Sequence, residues 1–181
     1  MALILPVRGI MPQIASDVFI APNATITGDV VLGEACTVWF NTVIRGDVHS
    51  IRIGKKTNIQ DGAILHCTYQ KADLNIGNEV SIGHGAIVHG CTIHDRVLIG
   101  MGAKILDHAV IEQDVIIAAG ALVLENFCAE SGWLYAGIPA KKIKPLTEAQ
   151  LGLLTRTAEN YVLYASWYEL PDEDSIKQKI L

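Results

Sequence analysis

The sequence predicts an all-β solenoid, a parallel β-helix of short stacked coils closed by one C-terminal α-helix. Three observations carry this. Aliphatic residues recur at every sixth position, which is neither a helical nor a plain strand period. A small residue, a β-branched residue or a cysteine follows four positions after most of them. After Leu124 the period stops, and a stretch with helical spacing comes later.

The first aliphatic series is Ile14, Ile20, Ile26, Leu32, Val38 and Ile44, with Val18, Ala24, Val30, Cys36, Thr42 and Val48 at the small positions. Ile53, Ile59 and Leu65 form the second series, and Ile76, Ile82 and Val88 the third. The fourth runs Ile93, Ile99, Ile105, Ile111, Ile117 and Val123, which makes eighteen repeats. Each repeat reads as one short strand and a turn, with the aliphatic side chain inward and the small one near a corner. One coil cannot bury its own apolar face, so stability comes from stacking at the ~4.7–4.9 Å spacing of neighbouring strands. Gly28-Asp29, Gly33-Glu34, Gly77-Asn78 and Gly100-Met101-Gly102 supply turn chemistry at the corners. The pattern resembles the hexapeptide-repeat proteins. That resemblance implies a left-handed β-helix of triangular section with three repeats per coil, hence about six coils here.

Residues 1–131 are therefore expected to form the solenoid with a short N-terminal lead-in. Residues 132–181 are expected to form an exit segment and a helix that packs on the solenoid or on a neighbour. Thr147 is a plausible N-cap and Thr147-Glu148-Ala149-Gln150 has the form of a capping box. Leu151, Leu154, Ala158, Tyr161, Val162 and Ala165 keep helical spacing. The expected helix runs from about Thr147 to Glu169 and stops before Pro171.

Half of the 181 residues are hydrophobic and 18% are charged, with a formal net charge of -5. That balance argues against a nucleic-acid-binding surface, which needs a basic patch. The opening run is cut by Pro6 and Arg8 and does not read as a signal peptide. No stretch approaches the ~20 apolar residues of a membrane span. Cys36, Cys67, Cys91 and Cys128 form no C-x-x-C pair, which points to reduced thiols in a cytoplasmic protein.

Three histidines stand out, namely His66, His84 and His89. The period slips after Ile44, Leu65 and Val88, and the extra residues are taken as corner bulges. Leu65 then opens the ninth repeat and Val88 the twelfth, on one face of adjacent coils. His66 and His89 follow them directly and should project outward side by side, with Arg45 in the same column. His84 falls on the preceding face next to a corner, in the slot that Asp61 and Phe40 hold in earlier coils, with Gln60 beside Asp61. Two adjacent imidazoles and a third from elsewhere make a His₃ metal constellation, in which three protein ligands leave a position open. A threefold trimer would bring the His66/His89 face of one subunit to the His84 edge of the next, and closed symmetry would give three such sites. Zinc, iron and cobalt all suit the donors. His49, His94 and His108 match no partner column. Cys67 should point elsewhere and is not counted as a ligand. Trp39 and Phe40 read as interface, as an apolar pocket, or as packing under the C-terminal helix.

Isoleucine 44 to Asp47 (IRGD), Asn58 to His66 (NIQDGAILH) and Ile82 to Gly90 (IGHGAIVHG) resemble the γ-class carbonic anhydrases and their bacterial relatives. The resemblance covers nearly the whole chain. It implies a homotrimer with Zn2+ held at subunit interfaces by His66, His84 and His89, and reversible hydration of CO2 to bicarbonate. It also implies an Arg45–Asp47 ion pair that holds the interface, Gln60 near the metal-bound water, and Asp61 orienting the site or binding bicarbonate. A purely structural salt-bridge network accounts equally for Arg45, Asp47 and Asp61. The chain departs from the archetype at the proton-shuttle acids. Val48 follows Asp47, and the loop after His66 offers only Asp73. Tyr161 or Tyr164 on the last helix can take a site position, as a tyrosine does in some relatives. Two other readings stay open. One is a hexapeptide-repeat acyltransferase or thioesterase, which shares a segment like Ala136 to Leu146 and works on coenzyme A thioesters. The other is a non-catalytic, metal-stabilised trimer.

Overall fold

The computed structural model describes residues 1–168. The chain winds as a parallel β-solenoid of about seven turns with one C-terminal helix, the left-handed β-helix expected of hexapeptide repeats. One face stacks strands Leu3–Leu5, Thr25–Leu32, Val43–Ile53, Ile64–His66, Ile87–His89, Lys104–Ile105 and Leu122–Val123. The long strands Thr25–Leu32 and Val43–Ile53 continue round a corner onto the second face, which ends at Cys128–Ala129. The third face runs from Phe19–Ile20 to Trp133–Ala136, where the antiparallel strand Lys141–Pro145 closes it.

Seven turns rather than six is a correction with a simple cause. Leu3–Leu5 pairs in register with Thr25–Thr27 and so starts a coil. At the other end Cys128–Ala129 and Trp133–Ala136 add rungs beyond the last periodic residue. Ile4 lies outside the six-residue series because the Val7–Ile10 turn interrupts it.

The periodic positions form the core. Ile26, Ile44, Leu65, Val88, Ile105 and Val123 stack on one face and are fully buried, with Ala24, Thr42, Ala63, Ala86, Ala103 and Ala121 buried at the corners beside them. The corners need left-handed backbone. Ala35, Lys56, Glu79, Arg96 and Asp114 form one column of positive φ, and Asn41, Gly62, Gly85, Gly102 and Gly120 another. The assumed slips hold, since Ile53 pairs with Ile76 and Ile76 with Ile93. All of them fall at a single corner, the one after the histidine face.

Thr147 caps the helix Glu148–Ser166 with both halves of the capping box made. The helix lies on the third face, burying Leu154, Ala158 and Ala165. Tyr161 meets Trp39 edge-on at 5.4 Å. Trp39 is thus buried under the chain's own helix, as one of the three readings of that residue had it. The expected helix end at Glu169 and the stop at Pro171 lie outside the described residues.

No cysteine is paired. Cys36, Cys67 and Cys91 are buried, and desolvation pushes their thiols up, Cys36 to about 11 and Cys67 to about 12. Cys128 is exposed. An aromatic disulfide reagent is therefore expected to titrate one thiol per native chain and four after denaturation, since thiolate fraction and access set the rate. Rapid native reaction of more than one would contradict the packing.

Candidate metal centre

His66 and His89 sit directly opposite one another on adjacent rungs, each the last residue of its strand. His66 Nδ1 faces His89 Nε2 at 3.1 Å. Each ring uses its other nitrogen on a carboxylate: His66 Nε2 lies 3.0 Å from Asp47 Oδ1, and His89 Nδ1 lies 2.5 Å from Asp107 Oδ1. Arg45 in turn pairs with Asp47 at 2.5 Å. The result is a continuous polar row along one edge of the face.

These partners dictate the proton positions. A carboxylate accepts, so the ring nitrogen facing it donates. In a neutral imidazole the other nitrogen then carries a lone pair. Both facing nitrogens are left as acceptors, and two acceptors at this distance need a cation between them. A proton or a metal ion meets that need. Two ligands on a tetrahedral ion with ~2.0–2.1 Å bonds stand about 3.3 Å apart, close to the spacing found. Burial lowers the His66 pKa below the ordinary histidine value, against the opposing hydrogen bond to Asp47, which favours the neutral ligand form.

His84 repeats the arrangement at the opposite edge of the face. Its Nδ1 lies 2.7 Å from Asp61 Oδ2, so the same logic leaves Nε2 as the acceptor. Asp61 Oδ1 accepts the Phe40 amide at 3.1 Å, which locks the carboxylate in its column. All three histidines thus have a carboxylate on one ring nitrogen, the arrangement that orients metal-bound histidines and raises their basicity. Among the described residues of one chain, no three such groups converge on a point, because His84 stands across the face from the other two.

The family model described as bacterial transferase hexapeptide (six repeats) matches residues 11–46 and 90–125. A protein named carbonic anhydrase from Geobacillus kaustophilus is 43% identical over 167 residues, covering 92% of this chain and 91% of that one. The chain belongs to the γ-class carbonic anhydrase-like family of hexapeptide-repeat proteins. Mitochondrial gamma carbonic anhydrase 2 of Arabidopsis thaliana is 37% identical over 174 residues, 92% of this chain but 62% of that longer one. A solved hexapeptide transferase family protein from Anaplasma phagocytophilum superposes with a TM-score of 0.89 at 40% identity, over 92% of this chain and 98% of that one. The repeat model skips residues 47–89, where the period slips. Asp47, Gln60, Asp61, His66, His84 and His89 all lie within that gap, so what sets this γ-class-like chain apart from plain repeats is concentrated there.

The remaining candidates divide by edge. Gln60 is buried and its amide donates to Asn58 Oδ1 at 3.0 Å, not to any histidine, although it shares a cavity wall with His84 and Tyr161. Tyr164 meets Tyr161 edge-on, ring centroids 5.5 Å apart, and both line a cavity of about 250 Å³ with Asp61 and His84. Burial, then the Asp61 charge, pushes the Tyr161 hydroxyl up to about 12. Both tyrosines thus belong to the His84 edge of their own chain. Cys67 points into the core, as expected. Asp107 and Thr68 are functional candidates that the sequence reading missed.

The carboxylates give a pH prediction. Burial alone would raise Asp47 and Asp107, but hydrogen bonds from Arg45 and His66, and from Thr68 and His89, outweigh it, and both lie below the ordinary carboxylate value. A depressed pKa means stability held above the unfolded value and lost as pH falls through the folded one. His66, also depressed, acts in the same direction nearer neutrality. Metal-free protein should begin losing thermal stability below about pH 6.5 and lose it faster below about 4. Thermal unfolding scanned from pH 8 to 3 tests this, and a flat profile would contradict the assigned pairs.

Proposed function

We propose that the chain is one subunit of a homotrimeric, metal-dependent enzyme of γ-carbonic anhydrase type that hydrates CO2 reversibly to bicarbonate. His66 and His89 of one subunit and His84 of the next would hold the metal. The observation that carries this is the set of three histidine–carboxylate pairs, each leaving one ring nitrogen as a free acceptor. Surface character supports the trimer. The third face is covered by the helix, and the second presents Gln13, Arg52, Asn75 and Thr92 in one column with the partly buried Val31 and Val110. The histidine face instead exposes Leu3, Leu5, Ile64 and Leu124, with 43 to 50% of each accessible. A face with these exposed aliphatics beside Arg45 and Lys104, and a half-site at each edge, fits cyclic self-association.

Zinc is the first choice, and Fe2+ or Co2+ suits the same nitrogens. When bound it supplies Lewis-acid activation of water at neutral pH. Asp47, Asp61 and Asp107 hold the ring protons away from it, and Arg45 offsets the charge on Asp47. Gln60 and Tyr164 are the candidates for orienting substrate from the His84 edge. Proton export is the weak point. Val48 offers no acid, and Asp73 is engaged by Asn75 at 2.9 Å. The hydration rate is therefore expected to be low and to rise with buffer concentration. The four unpaired thiols fit a reducing compartment such as the cytoplasm, and no helix among the described residues is long and apolar enough to cross a membrane.

Stopped-flow CO2 hydration on zinc-, cobalt- and iron-loaded protein, with sedimentation to give subunit number, tests the proposal. A monomer binding one metal per chain, or a loaded trimer without hydration, would overturn it. The second reading is an acyltransferase, favoured by the transferase name of the Anaplasma relative and by a cavity of about 370 Å³ along the third face between Met101, Ile116 and Tyr161. Coenzyme A binding by calorimetry would support that reading instead.

A further inference from the structure

We infer that Thr68 and Asp107 form a clamp that positions His89, and that this clamp, built on the short loop after His66, sets how tightly the site retains its metal. This rests on the metal-site reading above. Thr68 Oγ1 donates to Asp107 Oδ2, and Asp107 Oδ1 accepts from His89 Nδ1 at 2.5 Å. Both carboxylate oxygens are therefore committed, which leaves the carboxylate one orientation and the imidazole plane one setting. Each link comes from a different turn of the solenoid. Asp107 follows the strand that stacks on the His89 strand. Thr68 is presented by a tight fold of the loop, with Thr68 pairing Ala72 and Lys71 bonding back to the Thr68 carbonyl at 3.1 Å.

Gly90 makes the closure possible. Its φ is +51°, and a Cβ there would stand 2.5 Å from Asp107 Oδ1 and 2.7 Å from the Ala72 Cβ. The loop, the glycine and the next turn's aspartate close on one point beside His89. The contrast with His84 is informative. His89 and Asp107 side chains are 29% and 16% exposed, whereas His84 and Asp61 are 44% and 41% exposed with no hydroxyl backing the carboxylate among the contacts of the described residues. His89 is the preorganised ligand and His84 the adaptable one. The loop that offers no free shuttle acid here thus has another use.

The test measures Zn2+ affinity by chelator competition, and the visible spectrum of the Co2+ form, for the intact protein, Thr68→Val and Thr68→Ser. Thr68→Val is expected to weaken affinity about 10-fold or more, in the range for groups that orient metal-bound histidines. Thr68→Ser should restore it, with the Co2+ bands of Thr68→Val shifted and the thermal midpoint of metal-free Thr68→Val close to that of Thr68→Ser. Equal affinity of Thr68→Val and the intact protein would overturn the clamp while leaving the metal site standing. Equal loss in Thr68→Val and Thr68→Ser would also overturn it, since the hydroxyl would then not be the cause. An intact protein that takes up no metal would overturn the underlying reading.

Discussion

His89→Ala and His84→Ala are each expected to abolish stoichiometric metal binding and CO2 hydration, yet a mixture of the two should recover part of both. The reasoning is geometric. His66 and His89 lie at one edge of the histidine face and His84 at the other, so in the proposed site the two edges would come from different subunits. In a cyclic trimer each subunit offers one edge of each kind. A mixed trimer of the two variants then contains one intact interface, where a subunit with an intact His66/His89 edge meets one with an intact His84. The other interfaces lack at least one ligand. Statistical mixing at equal amounts leaves about a quarter of all sites whole under that symmetry. Co-refolding followed by metal analysis and stopped-flow assay reads this directly. Recovery near zero would mean that the three histidines do not share a site across subunits. Undiminished activity in either variant alone would return that histidine to the solvated surface.

The period in the sequence was enough to place the histidines because a solenoid converts position in the repeat into position in space. Once Leu65 and Val88 share a column, His66 and His89 must meet, and they do. The same indexing put His84 beside Asp61, and the two are paired. Asp107 does not follow from that column. It lies two residues after Ile105, whereas the column of Arg45, His66 and His89 continues to Leu106, one residue after Ile105. Thr68 was not within reach. It arrives through a folded loop whose path no repeat specifies. Leu3–Leu5 was hidden for a related reason. The spacing from Ile4 to Ile14 breaks at the same corner as the slips after Ile44, Leu65 and Val88. Irregularity in the period is therefore informative, because it marks the corner from which site-forming loops emerge.

Naming among the relatives divides between carbonic anhydrase and transferase, and the fold cannot arbitrate, since one solenoid hosts both chemistries. The side-chain chemistry favours the proposed metal site. An acyl transfer assisted by one histidine as general base needs one oriented imidazole. Three oriented imidazoles, two with lone pairs converging at 3.1 Å, are more than a single general base uses. The carboxylates partnering them come from three different turns, Asp47, Asp61 and Asp107. The proposed metal site would use all three.

Gly46→Ala is expected to damage the solenoid beside the histidine edge, costing stability and metal together. A Cβ at Gly46 would stand 2.7 Å from the Asp29 carbonyl oxygen and 3.0 Å from Val30 Cγ2. The carbonyl belongs to the neighbouring coil's backbone and cannot rotate away as a side-chain tip would. Relief requires the two coils to separate where Thr27 pairs with Arg45 and Gly28 with Gly46. Overpacking of this kind costs about 1–3 kcal/mol or more, and in a stacked array the loss falls on the interface between neighbouring turns. Gly46 also lies between Arg45 and Asp47. Separation there moves the carboxylate that orients His66, so metal affinity should fall even in molecules that stay folded. Gly102→Ala is the control. Its φ is +66° with nothing within 4 Å of an added Cβ, so only the left-handed backbone penalty of about 1–2 kcal/mol applies. Chemical unfolding should rank Gly46→Ala well below Gly102→Ala, and zinc titration should find Gly102→Ala unchanged. If both variants lost the same stability and kept the same affinity, the close approach of the coils at Gly46 would not be what holds Asp47 against His66.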